Sequence, residues 1–150
     1  VITEIIRLHQ ITAGFFKGES GIIKDLDNDK MRILLEIIEE SEQKTIIWAN
    51  WIYNIEQITL MIQQKFGPSS VVNFYGAVNS EDRSEAIRRF QNDPKCRFFV
   101  ANPSTGGYGL TLTKATCVIY YSNSFDAEYR LQSEERAHRI GQTEKVTYTE

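Results

Sequence analysis

Residues 45–68, TIIWANWIYNIEQITLMIQQKFGP, decide the fold. The first five are a nearly continuous apolar run, as in a strand covered on both faces. Trp51, Ile55, Ile58 and Ile62 then recur at helical spacing, and Gly67-Pro68 stops that helix. A buried strand handing over to an amphipathic helix is the repeating unit of a parallel α/β sheet. Working outward, the unit recurs. The runs at 71–74 (VVNF), 97–101 (RFFVA) and 117–121 (CVIYY) read as further buried strands, and 145–149 (KVTYT) alternates as an edge strand does. Met31, Leu34, Leu35 and Ile38 make a helical stripe before the first strand. Ser80 is the expected N-cap of a helix with Glu81 and Asp82 in its positively polarised first turn. That helix is expected to bury Ile87 and Phe90 and to end at Asn92-Asp93-Pro94. A last helix is expected over 126–140, with Gly141 as its C′ residue. The fold class is α/β, with helices on a mainly parallel central sheet.

At 150 residues the chain fits one domain with a substantial core. No apolar run is long enough for a transmembrane helix, so no membrane partner is expected. The chain opens on Val1, and residues 1–10 have an amphipathic helical pattern. A piece of a longer soluble protein without a signal peptide is therefore expected. Residues 15–29 read as a linker or loop, which makes residues 1–30 a connecting helix and linker and residues 31–150 the domain. The net charge of −3 excludes a grip on nucleic acid through bulk positive charge and leaves room for a local basic face. Cys96 and Cys117 sit in or beside apolar runs with no zinc-type spacing, as core cysteines of a reducing compartment do.

In an open parallel sheet, function collects at the loops leaving the carboxyl ends of the strands. Residues 102–109, NPSTGGYG, carry three glycines in four residues. Such a segment reads either as a tight turn or as a loop whose N–H groups approach a phosphate without Cβ obstruction. No Gly-Lys-Ser/Thr follows, so it is not a Walker A loop. On the last helix, Gln132, Arg136 and Arg139 fall within about 60° of one another at ~100° per residue. An amide and two guanidiniums on one stripe suit a polyphosphate or a carboxylate. The bland reading is a solvated face where Glu134, Glu135 and Arg130 form local pairs. His138 reads equally as a polar core residue or as a contact, and Arg130 lies ~120° from Arg136.

At these residues a family comes into view. QSEERAHRIGQ (132–142) closely resembles the last signature motif of Swi/Snf-type ATPases, and STGGYGLTLTKA (104–115) resembles the motif before it. KTIIWANW (44–51) resembles the family's first lobe-two strand and contact loop, and FYGAVNSEDRSEAIRRF (74–90) the strand, turn and Arg-bearing helix that follow. LHQITAGF (8–15) is similar to the segment joining the two lobes, so the resemblance covers nearly the whole chain in order.

The resemblance implies a RecA-like three-layer sandwich, the second lobe of an ATP-dependent double-stranded DNA translocase. ATP would lie between two lobes, with the phosphate loop and the acidic residues holding Mg²⁺ on the first. No Gly-Lys-Thr/Ser or Asp-Glu-x-His occurs here, so this chain alone is half of an ATPase. By position Arg136 and Arg139 would be arginine fingers, and Gln132, Gly107 and Gly109 would serve the nucleotide. Asn50, Trp51, Thr105 and Gly106 would hold the DNA backbone, with short polar groups that carry little sequence information. The family pattern departs at Tyr108 (usually Leu), at Thr111 (usually Asn) and at Ser124-Phe125-Asp126-Ala127, where Asp-Trp-Asn-Pro is characteristic. Phe125 keeps the aromatic and reads either as a DNA contact or as a staple for the last helix. These variants resemble bacterial or phage members, which implies a cytoplasmic protein. The alternative is a free-standing nucleic-acid-binding α/β module without motor activity. A superfamily-two RNA helicase lobe would show Gly between the two arginines, where Ala137-His138 stands.

Overall fold

The computed structural model describes residues 2–26, 29–105 and 110–150. It divides into two compact units, 1–40 and 41–150. The first holds α1 (Ile2–Thr12), β1 (Phe15–Lys17), β2 (Ile23–Asp25) and α2 (Lys30–Glu40). The expected loop over 15–29 is in fact largely a hairpin, with Phe16 opposite Lys24. Its turn closes through Gly18 N–H to Ile22 O at 3.1 Å, with Gly21 at φ +80°. Strands of three residues are too short to show a period of two, which is why the sequence reads as a linker.

The second unit is built on five parallel strands in the order β4 (Val71–Phe74), β5 (Phe98–Ala101), β3 (Thr45–Trp48), β6 (Cys117–Tyr120), β7 (Thr147–Thr149). Every residue of β3, β5 and β6 is buried, whereas β7 is largely exposed at its edge. Alternation sends Ile46, Trp48, Val72, Phe74, Phe99 and Val118 to one face. There they pack with Ala86 and Phe90 of α4 (Ser80–Asn92) and Ala137 of α5 (Ala127–Ala137). On the other face α3 (Ile52–Phe66) lies over β4 and β5, burying Ile55, Ile58 and Ile62 and setting Phe66 5.1 Å from Phe98. Helices on both faces make a three-layer α/β sandwich.

The N-cap of α4 is Asn79 rather than Ser80. The Asn79 side chain accepts from Asp82 N–H at 2.8 Å and donates to the Asp82 carboxylate at 2.7 Å. Gly67, at φ +94°, ends α3 ahead of Pro68 as the sequence indicates. Cys96 and Cys117 are buried and free, and burial pushes both thiols up, away from reactivity.

Lys44 secures the amino end of β3. Its ammonium donates to Phe90 O (2.5 Å), Asp93 O (2.7 Å) and Cys96 O (2.8 Å), and it lies 5.2 Å from the Phe90 ring centroid. It thereby caps the carbonyls where α4 ends and β5 begins. Desolvation lowers the Lys44 pKa, and the three carbonyls keep the charged form worthwhile. Lys44→Met keeps the stem and leaves those carbonyls without their donor. We expect a loss of about 2–4 kcal/mol in urea unfolding of the chain; a loss below about 1 kcal/mol would show that water replaces the ammonium freely.

Candidate active site

The loops leaving β3, β5 and β6 are laced together at the carboxyl edge of the sheet. Asn50 follows β3; its N–H donates to Ser122 Oγ at 2.9 Å and its carbonyl accepts from Asn102 Nδ2 at 2.8 Å. Asn102 Oδ1 in turn accepts from the Ser104 N–H (2.8 Å) and hydroxyl (2.5 Å). Thr105 N–H donates to Asn102 O at 3.2 Å, and Thr105 Oγ1 lies 3.9 Å from where a Cβ would sit on Gly76. Asn50 and Thr105, assigned to one site from sequence, thus stand on one connected edge. Trp51, half-buried, adjoins Asn50 as the N-cap residue of α3. Asn102 and Ser122 do the lacing and escaped the sequence reading, although a short polar residue just past an apolar strand is a visible signal. Gly106, Gly107 and Gly109 lie outside the described residues.

Beyond β6, Asp126 caps α5 by accepting from Glu128 N–H at 2.9 Å. Phe125, just before the cap, is 71% exposed. The helix ends at Ala137 with His138 as its C-cap, three residues short of the expected Ile140. A turn follows, closed by Gln142 N–H to Arg139 O at 2.9 Å, with Gly141 at φ +104°. Arg139 is therefore off the helix and does not share a helical stripe with Gln132 and Arg136. The physical reason is that carbonyls near the helix end find partners outside it: Leu112 N–H donates to Arg136 O at 3.0 Å, and Gln142 Nε2 donates to Ala137 O at 3.2 Å. His138 is exposed, so the core reading of that residue does not hold.

Arg136 is 7% exposed. Desolvation first, and then the charge of Arg139, pull its pKa below the usual arginine value. Glu135 pulls the other way, and a further anion near the two guanidiniums would add to that effect. Arg139 is exposed, and its Nη1 donates to Leu110 O and Thr111 Oγ1, both at 3.2 Å. Gln132 spends its amide on Glu128 of the same helix, at 2.8 Å. Among the described residues no group of three or more His, Cys, Asp or Glu side chains is set to hold a metal ion.

Arg130 is no bystander. Its guanidinium stacks on the Tyr120 ring at 3.5 Å from the centroid, and it pairs with Glu134 at 2.7 Å and with Glu150. It also donates to Asn123 Oδ1 at 2.8 Å. Beneath it the Tyr120 hydroxyl and Ser133 Oγ are 2.7 Å apart, which seats α5 on β6. The local pairing expected of a solvated face is thus found at Arg130.

The helicase conserved C-terminal domain family matches residues 29–141, and the chain belongs to that family. Within it the likeness is to Swi2/Snf2 proteins. The chain is 27% identical to the ATP-dependent helicase fft2 of Schizosaccharomyces pombe over 93% of its own length and 11% of that protein's. It is 38% identical to the chromatin-remodeling ATPase INO80 of Pyricularia oryzae over 97% of its length and 6% of that protein's. The structure superposes on the Sulfolobus solfataricus SWI2/SNF2 ATPase core in complex with dsDNA with a TM-score of 0.76 and 26% identity. That match covers 99% of this chain and 31% of the other. The C-terminal part of the Fun30 ATPase domain matches with a TM-score of 0.71 and 27% identity, over 83% of this chain and 43% of that one. The fold is therefore RecA-like. The relatives named are fungal, and the expected bacterial or phage placement finds no support in them. Among the described residues no helix is long and apolar enough to cross a membrane.

Burial pushes the Tyr120 hydroxyl up from 10.0 to about 12, against the opposing pull of Ser133 and Arg130. As pH rises above 10.0 the unfolded chain ionises its tyrosine while folded Tyr120 keeps its proton. Stability present below that pH is then lost up to about 12. The expected loss is about 2–3 kcal/mol across the window. Tyr120→Phe should flatten this alkaline limb in denaturant titrations of the chain; an unchanged slope would place the ionisation elsewhere.

Proposed function

We propose that this chain is the second motor lobe of an ATP-dependent double-stranded DNA translocase. Residues 31–150 would form the lobe, and residues 1–30 the connection to a first RecA-like lobe. The observation that carries the reading is the run of backbone after β5. At its start Asn102 and Thr105 join the Asn50 loop, and at its end Leu110 and Thr111 hold Arg139. One stretch of chain thus links the groups suited to a DNA backbone with the groups suited to a nucleotide.

On this reading Arg136 and Arg139 meet the γ-phosphate of ATP at the cleft between the lobes. Their guanidiniums fit a polyanion, since a negative group set between them offsets the repulsion that each exerts on the other. ATP supplies the phosphoryl group whose transfer to water drives movement. The fingers stabilise charge that grows in the transition state, worth about 10³–10⁵ in rate in well-studied cases. On the family resemblance, the acidic residues that hold Mg²⁺ would belong to the first lobe. Gln132, Gly107 and Gly109 would line the nucleotide side. Asn50, Trp51, Thr105 and Gly106 would hold phosphates of the DNA backbone, and Phe125 would lay its exposed ring on the DNA. The Sulfolobus neighbour bound to dsDNA supports that partner.

In the full-length protein, Arg136→Ala and Arg139→Ala should each cut DNA-stimulated kcat by about 10²-fold or more, with far smaller changes in KM for ATP. Lys at either position should rescue poorly, because an ammonium lacks the planar fork. The 150-residue chain alone should hydrolyse no ATP above buffer. Parental turnover by both alanine variants, or steady turnover by the chain alone, would refute the arrangement.

DNA binding by the chain should show a shallow salt dependence. Each phosphate neutralised contributes about −0.9 to the slope of log K against log salt, and a net charge of −3 leaves few such contacts. A slope near ten would reveal a large basic surface instead. Phe125→Ala should weaken DNA affinity and leave thermal stability in place; loss of stability alone would restore the staple.

A further inference from the structure

Gln142 has no part in the site as assigned above, yet its side chain joins three pieces of backbone. Nε2 donates to Ala115 O (2.9 Å), Thr113 O (3.0 Å) and Ala137 O (3.2 Å). Oε1 accepts from Glu144 N–H at 3.0 Å. Carbonyls at one end and an N–H at the other fix the amide's orientation. Ala137 O is among the last four carbonyls of α5, which have no partner within the helix. Thr113 and Ala115 belong to the backbone between β5 and β6.

The same turn is held from its other flank by Gln91 of α4. Lys114 N–H donates to Gln91 Oε1 at 3.1 Å, and Gln91 Nε2 reaches Thr113 Oγ1 at 3.4 Å. Residues 113–115 are thus clamped between two amides from separate elements. Arg136 and Arg139 occupy the short segment between α5's last turn and Gln142. That segment meets residues 110–112 through Leu112 N–H to Arg136 O and through the Arg139 bonds to Leu110 and Thr111.

We propose that Gln142 is a positioning residue for ATP hydrolysis: it fixes the arginine-bearing turn 136–142 on the backbone 110–115. The guanidiniums and the backbone 110–115 are then held as one body. This inference rests on the arginine-finger reading above. A cap confined to ending α5 would need only the bond to Ala137 O; the bonds to Thr113 and Ala115 tie the helix end to another element.

The test uses the full-length protein. Gln142→Met is nearly isosteric and lacks the donors. DNA-stimulated kcat should fall about tenfold while KM for ATP stays within about twofold. Added to Arg139→Ala, Gln142→Met should cost clearly less than its own tenfold, because part of its effect acts through Arg139 and only the part through Arg136 remains. Gln142→Asn, which keeps the amide on a shorter stem, should recover part of the rate. Hydrogen exchange should quicken at the amides of Leu112 and Gln142, while Ile47 and Val100 stay protected. An unchanged kcat for Gln142→Met, with Arg139→Ala impaired, overturns the positioning role and leaves the fingers standing. So does a loss that adds fully to that of Arg139→Ala, since it would mark a general structural effect. Full activity in Arg139→Ala would instead fell the finger reading, and this inference with it.

Discussion

Three adjacent parallel strands, β3, β5 and β6, are covered on both faces, and this burial constrains the rest of the second unit. A strand in that position presents no side chain to water, so polar chemistry is displaced to its two ends. At the amino end the displaced work is structural, with Lys44 holding three carbonyls at once. At the carboxyl end three loops emerge side by side because their strands are neighbours in the sheet. The side chains of Asn102 and Ser122 lace those loops by bonding the backbone carbonyl and N–H of Asn50.

The arginines gain their setting from the same constraint. α5 must pack Ala137 into the core and keep Ser133 on Tyr120, so Arg136 is carried into a largely buried position. Burying one guanidinium beside another is unfavourable in isolation. Glu135 offsets part of that cost, and under the proposed function the phosphate of a nucleotide would offset more. Arg130, by contrast, is matched by Glu134 and Glu150 and stacked on an aromatic ring, an arrangement already complete. Two arginines six positions apart on one helix thus differ in setting, Arg136 being the more buried and Arg130 lying on a ring between two carboxylates.

Much of this was legible in the sequence, for identifiable reasons. The strands β3, β4, β5 and β6 announce themselves as nearly continuous apolar runs, and Gly67-Pro68 marks its helix end with the residues that such an end requires. What escaped depends on contacts distant in sequence. The early end of α5 follows from Gln142 and Leu112, and a helical wheel that keeps turning past Ala137 misplaces Arg139. The hairpin at β1 and β2 is held by pairing between strands too short to carry a pattern. Lys44 looks like an ordinary surface lysine until α4 and β5 bring their carbonyls to it. Family likeness points to the loop residues Asn50 and Thr105 and says nothing of Asn102, which joins them.

Under the proposed function, Arg136 and Arg139 address the phosphate of a nucleotide held by another lobe. The most direct measurement is a structure of the full-length protein with DNA, ADP and aluminium fluoride in place of the transferring phosphoryl group. Both guanidiniums should lie within hydrogen-bonding distance of the fluoride ligands, about 2.7–3.2 Å, with Arg136 shielded from water by the closed cleft. If the lobes close on the mimic while Arg139 stays on Leu110 and Thr111 and Arg136 points away from the fluorides, the assignment is wrong.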